Sequence, residues 1–217
     1  MPPLTRLRTD RPTRRDALAL LGAGAAALAL PARAQGAFDL VQLMRTLAQV
    51  KAGEATFVEK RSVAMLERTL QSSGRLSFEA PDTFVRETLK PTRERIAVVG
   101  NEVTMSRGTR SRTLPLDSVP EAAVIMEAIR GTLTGNRAAI ERNFSATVSG
   151  TAERWSLELV PHLPRLRELV ISVRVSGQQA LVREVAVAMA DGDRSVMTIE
   201  PVVPSVPGAA KPASAPS

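Results

Sequence analysis

The chain contains no cysteine and no tyrosine, one tryptophan (Trp155) and one histidine (His162). Without cysteine there is no disulfide, no thiolate nucleophile and no thiolate metal site, so the fold must be held by its core alone. His162 stands between prolines in PHLP, residues 161–164, with no second His or Cys to share a metal. A Ser-His-Asp arrangement therefore has no well-placed base. No glycine-rich phosphate loop or dinucleotide fingerprint is present. The most site-like acidic fragment is Asp191-Gly192-Asp193. It lacks the further acidic positions and the closing glutamate of a calcium loop, and it reads as a tight hairpin turn. Aromatic residues are 3% of the chain, so aliphatic side chains must build the interior. These absences point away from an enzyme and from a resident cofactor or metal.

The sequence has no apolar run long enough to span a bilayer. The longest, residues 17–30, would need about 20 residues to cross at 1.5 Å per residue. It follows the paired Arg14 and Arg15, and it precedes the small-residue end Ala32-Arg33-Ala34. Basic, apolar, then small is the order of an export signal, and the twin arginine points to the bacterial route for folded proteins. Cleavage is expected after Ala34, giving a periplasmic product. Position 35 is Gln, so no new N-terminal thiol is offered for a lipid anchor. The first 34 residues carry six arginines and two aspartates, so removing them leaves a net charge of about +3 from the whole chain's +7. That residue of charge is no nucleic-acid footprint. Three segments are expected: an export signal over 1–34, one domain over 35–203, and a disordered Pro/Ala tail over 204–217, which lacks apolar residues to bury.

Periodicity within the domain switches twice. Residues 38–51 carry Leu40, Leu43, Met44, Leu47 and Val50 on one stripe, a helical spacing, with Gly53 placed as its stop. Six strands follow in the reading, over 55–66, 70–79, 83–89, 94–99, 102–107 and 111–116, several joined by short Gly turns. Pro120 opens a helix over 121–133, and a shorter one ends near Asn143. Five more strands are expected over 146–149, 153–160, 168–176, 180–188 and 195–201. Short turns between neighbours give an antiparallel sheet. A sheet with one apolar face needs a cover, and only the helices can supply it. The expected class is α+β: a large curved antiparallel sheet capped by about three helices. Arg107, Arg110 and Arg112 read as a solvated edge that discourages strand pairing.

The order of local motifs adds a resemblance. FVEKR at 57–61, L-x-S-x-G-x-L-x-F at 70–78, APD at 80–82, P-x-x-E at 91–94, IRGTLTGN at 129–136, Phe144, W-x-L-x-L-x-P at 155–161 and DGDRSVM at 191–197 occur in this sequence. Together they resemble the LolA-like family of periplasmic outer-membrane lipoprotein carriers, most of all the divergent branch found beside aryl-polyene and glycolipid export genes. The resemblance implies that the sheet is an incomplete β-barrel, with the helices as a lid over a hydrophobic cavity that shelters acyl chains. It implies an acylated lipoprotein or lipid-like cargo, an inner-membrane exporter as donor, an outer-membrane acceptor and a monomeric, non-catalytic chaperone. One position departs from the pattern. The basic residue usual before the Pro-Asn/Asp pair is Ala80 here, which raises the prior for a lipid-like cargo; Arg75 and Arg86 are the nearby arginines that could compensate.

The residues expected to face the cavity or core from the sheet are Phe57, Leu76, Phe78, Phe84, Trp155, Leu157, Ile171 and Val173. Those expected to face them from the lid are Ile125, Met126 and Ile129. Plain core packing explains each of them equally well, since alternating apolar residues form the core of most sheets. The second reading of the whole chain is an envelope accessory protein of an export complex that uses the same fold as a docking surface.

Overall fold

The structure, a computed structural model, describes residues 38–202 apart from Glu67. The expected export signal and Pro/Ala tail lie outside the described residues. Helix α1 (Leu40–Leu47) precedes strands β1 (Ala52–Val63), β2 (Arg68–Glu79), β3 (Thr83–Lys90), β4 (Glu94–Val99), β5 (Glu102–Arg107) and β6 (Arg110–Pro115). Helices α2 (Pro120–Leu133) and α3 (Arg137–Asn143) follow, then β7 (Phe144–Thr151) and β8 (Arg154–Pro161). A one-turn helix α4 (Pro164–Arg167) leads to β9 (Val170–Gln178), β10 (Leu181–Met189) and β11 (Arg194–Pro201).

All eleven strands form one sheet in the order β6-β5-β4-β3-β2-β1-β11-β10-β9-β8-β7. Every neighbouring pair is antiparallel. The single long-range junction is β1 with β11, Phe57 opposite Ile199. β6 and β7 remain as edges, so the sheet is a barrel left open. Arg110 and Arg112 stand exposed on edge strand β6, where charge blunts further pairing.

The helices follow local rules. Asp39 caps α1, its Oδ1 accepting from the Gln42 amide at 2.8 Å. Leu43, Met44 and Leu47 are the buried stripe. The helix ends at Ala48, earlier than the expected Lys51, because the Lys51 carbonyl accepts from the Ala80 amide at the sheet's end. Gly53, read as the helix stop, is already in β1 opposite Phe78. The stop-like geometry belongs to Gly135, whose φ of +63° lets it sit against the Met44 carbonyl and Ala48. Pro120 begins α2 as expected, and the Asn136 side chain caps α3 by accepting from the Ala139 amide at 3.0 Å. The fourth helix, α4, lies in what reads as a loop, with Pro164 in its first turn.

Two apolar clusters lie on the helix-covered face. The C-terminal cluster joins β7–β10 to α1, α2 and α3; Leu43, Ile140, Trp155, Leu157, Val170 and Val173 are fully buried there. The N-terminal cluster has four buried members, Phe84, Val98, Val103 and Leu116. Helix α2 spans both: Val124, Ile125 and Ala128 touch the first, while Met126, Ile129 and Leu133 touch the second.

Candidate functional site

The site can be built from the strand register. Along β3, Phe84 and Arg86 point to the same face, because side chains two apart share a side. Phe84 belongs to the cluster under α2, so Arg86 lies on the helix-covered face as well. Across the sheet Phe84 pairs with Phe78 and Val98, and Arg86 with Leu76 and Ile96. Phe78 stacks on Phe84 with ring centroids 5.1 Å apart. Around the four sealed residues of this N-terminal cluster stand nine half-buried apolar ones, among them Phe78, Ile96, Met105, Met126 and Ile129. The C-terminal cluster is closed in the opposite proportion, with thirteen sealed residues against eleven half-buried. Four of those nine, Phe78, Ile96, Met105 and Leu114, stand on the sheet and five on α2 itself, so half-buried apolar surface of sheet and helix face each other over β2–β6.

The structure brings Leu76, Phe78, Phe84, Met126 and Ile129 to the N-terminal half, and Ile125, Trp155, Leu157 and Val173 to the C-terminal half. Phe57 is 2% exposed between the two, beneath the Arg86 guanidinium, whose Cζ is 4.8 Å from the ring centroid. Ile171 departs from the expectation: it is 51% exposed. The register of β9 with β10 jumps there, Ser172 opposing Ala188 and Val170 opposing Met189, which leaves Ile171 as the extra residue of a bulge. Val170 takes the buried position in its stead.

Between the two apolar halves runs a polar stripe that periodicity gave no sign of. Arg86 Nη2 donates to Glu59 Oε2 at 2.6 Å and to Ser72 Oγ at 3.1 Å. Ser72 Oγ donates to the same Glu59 oxygen at 3.2 Å, and Ser195 Oγ donates to Oε1 at 2.8 Å. Burial pushes the Glu59 carboxyl up, but the Arg86 charge and these three donors outweigh it and hold the pKa below its ordinary value. Nearby, Arg61 Nη2 donates to Asp193 Oδ2 at 2.8 Å, and the Ala64 amide donates to Oδ1 at 3.0 Å. Those bonds hold the Asp193 carboxyl below its ordinary value too, the Arg61 bond most. The Asp191-Gly192-Asp193 fragment is thus a turn, with Gly192 at φ +92° and Asp191 Oδ1 accepting from the Asp193 amide at 3.0 Å. Among the described residues no three His, Cys, Asp or Glu side chains gather as a metal site. His162 bonds the Glu141 carbonyl at 3.1 Å on the surface.

Both carboxylates have lowered pKa values, so their stabilisation is present above the ordinary carboxylate range and is lost as pH falls through the lowered values. Unfolding by urea should show constant stability from neutral pH down to that range and a decline below it. In Glu59→Gln the acid decline should be shallower; an identical acid profile would show that Glu59 contributes nothing to it.

Among the described residues, helix α2 has one polar tie to the rim of the N-terminal half. Arg130 Nη2, in the last turn of α2, donates to the Gly100 carbonyl in the β4–β5 turn at 2.6 Å. Arg130→Met keeps the stem's packing and removes the bond, at a cost of about 1 kcal/mol. Amide exchange across α2 should quicken in that variant while the β7–β9 amides stay protected; uniform quickening would mean the tie holds the whole domain and not the lid.

A groove of about 650 Å³ opens between α2, α4 and the start of β7, with Val124, Phe144, Leu166 and Leu169 on its walls and Arg165 and Glu127 at its rim. Its volume lies within the roughly 300–1,000 Å³ of ordinary ligand clefts. None of the eleven residues expected from the sequence lines it. Leu166 falls between PHLP and the strand expected over 168–176, in what reads as loop, and Leu169 falls at the start of that strand, so neither reads as a groove residue; Phe144 is visible only as a motif residue.

No helix among the described residues is long and apolar enough to cross a membrane. Residues 32–214 match the family described as outer membrane lipoprotein carrier protein LolA-like. No curated protein matches. Among solved structures, a LolA superfamily protein from Nitrosomonas europaea is 7% identical, covering 73% of this chain and 90% of that one, with a TM-score of 0.39. A DUF1329 family protein from Desulfovibrio piger is 9% identical, covering 75% and 89%, at 0.42. LprF from Mycobacterium bovis is 9% identical, covering 78% and 96%, at 0.35.

Proposed function

This chain belongs to the LolA-like outer membrane lipoprotein carrier family, and on that premise we propose that it is a periplasmic carrier. It shelters the acyl chains of a lipoprotein or lipid-like cargo beneath α2 and moves them from an inner-membrane exporter toward an outer-membrane acceptor, without catalysis. The observation that supports this best is the partly sealed apolar layer of the N-terminal half, where four half-buried apolar side chains of the sheet face five of α2 around four buried ones.

The physics of carriage suits that arrangement. Each acyl methylene taken from water contributes about 0.8 kcal/mol, so a chain of ordinary length could bind too tightly to be released. In the empty protein Met126, Ile129 and Leu133 of α2 pack on the same cluster. Self-packing of the lid competes with the chain, which moderates affinity and leaves a closed, soluble surface after release. The residues proposed to meet the chain are Leu76, Phe78, Phe84, Met126 and Ile129, with Phe57 at the inner end. Trp155, Leu157, Ile125 and Val173 serve the core of the C-terminal half.

Protein purified from the periplasm of its own source and analysed by native mass spectrometry should carry acyl-containing adducts. A consistently empty protein that also fails to bind fluorescent acyl probes would overturn the proposal in favour of a docking role in an export complex.

A further inference from the structure

The Glu59–Arg86 pair is hard to explain by stability. Taking two charges out of water costs several kcal/mol each, and apolar replacements of buried pairs are often neutral or stabilising. Here the pair sits in the polar stripe between two apolar halves, with side chains only 14% and 29% exposed. The guanidinium is also left incomplete. Nη2 serves both Glu59 and Ser72, whereas Nη1 and Nε have no acceptor among the described residues, and Nε is buried. An arginine has five N–H donors; the buried Nε is closed to a ligand, and the unpaired Nη1, which is not sealed, is the donor a ligand could reach.

The charge balance narrows the ligand. Glu59 stays ionised and neutralises Arg86, and Asp193 does the same for Arg61. An incoming carboxylate or phosphate would meet the Glu59 charge at once, whereas a neutral acceptor would not. The neighbours of Arg86 along the sheet are Leu76 and Ile96, which lead straight into the half-buried apolar cluster. A chain lying there brings whatever joins it to its head to the guanidinium. We infer that Arg86, held by Glu59 and Ser72, is a binding residue for the carbonyl oxygen of the ester or amide that links an acyl chain to its head. The inference rests on the carrier reading, and it makes the linkage, rather than a charged headgroup, the polar feature recognised.

The test uses three pyrene-labelled probes of equal chain length, an acyl methyl ester, the free fatty acid and the alkane. Each is titrated into the wild-type protein and into the Glu59→Leu, Arg86→Met double variant. The wild type should bind the ester about tenfold more tightly than the alkane, as one net hydrogen bond to a charged donor provides, and more tightly than the fatty acid at neutral pH. The double variant should keep the alkane affinity and lose the preference. Equal binding of ester and alkane by the wild type, or a preference that survives in the double variant, overturns the inference and leaves the carrier reading standing. A fatty acid bound most tightly overturns it in favour of an anionic head. Failure of all three probes overturns both. Should the double variant not fold, the infrared carbonyl stretch of the bound ester decides: a shift to lower frequency in the wild type supports the bond, and an unshifted band refutes it.

Discussion

Trp155→Ala should lower stability by about 3–5 kcal/mol, the range for removing a large aromatic from a sealed core. In urea this is a fall in midpoint of about 1–2 M, taking a slope near the upper end of the 1–3 kcal/mol/M range. Far-UV circular dichroism is the readout, since the variant has lost the chain's only indole. The expectation rests on how the ring is seated. Trp155 is 1% exposed, and its Nε1 donates to the Gln179 carbonyl at 2.8 Å. Its partner on β7 is Gly150 and its partner on β9 is Gly177. A Cβ at position 177 would meet the indole and the Leu181 carbonyl, so the ring occupies space that a side chain would otherwise take. Alanine leaves that space empty between backbone segments that cannot collapse onto it. Gly177→Ala should destabilise for the reverse reason, by about 1–3 kcal/mol of overpacking. An unchanged midpoint in Trp155→Ala would mean the C-terminal half is not the domain's core. If that half is core rather than binding surface, the folded fraction of Trp155→Ala should still bind acyl probes with wild-type affinity.

The sheet was readable from sequence because its two faces differ in polarity. Alternation in Leu70–Phe78 and in Trp155–Leu159 specifies strands directly, and the short Gly turns specify antiparallel neighbours; each expected strand has a counterpart among β1–β11. The bulge at Ile171 was not readable. One extra residue flips the alternation, and nothing in VISVRV distinguishes a bulged strand from a regular one. Helix α4 escaped because four residues cannot show a period of 3.6. The polar stripe escaped for a topological reason. Ser195 lies 136 residues from Glu59, and Arg86 lies 27 residues away. They meet only because β11 pairs with β1 and β3 follows β2 across the sheet. Taken singly along the chain, Glu59 and Arg86 look like the polar half of two amphipathic strands. Arg75, the other nearby arginine, is exposed and lies one residue out of phase with Leu76, so only Arg86 reaches the helix-covered face.

Met126→Asp should weaken acyl-probe binding about a hundredfold, equivalent to roughly three or four methylenes returned to water at about 0.8 kcal/mol each. Met126 is a half-buried member of the N-terminal cluster on the lid. An ionised carboxylate there cannot remain in the cluster of Phe84 and Val98 without a partner, so the Met126 face of α2 must pull away from that cluster toward water. Val124 and Ala128, sealed against the other cluster, keep the helix attached to the C-terminal half. The variant should therefore fold, with a midpoint lowered by much less than in Trp155→Ala, and lose its cover over bound chains. Ile171→Asp makes the same change of charge on an exposed bulge and should leave affinity where it was. Equal losses in the two variants would indicate a general effect of added negative charge. Wild-type binding by Met126→Asp would move the chain away from the N-terminal half, leaving the groove between α2 and α4 as the place to look. The contrast is informative because both side chains are apolar in the sequence: only the register of β9 against β10 and the straddling position of α2 assign one to the N-terminal cluster and the other to solvent.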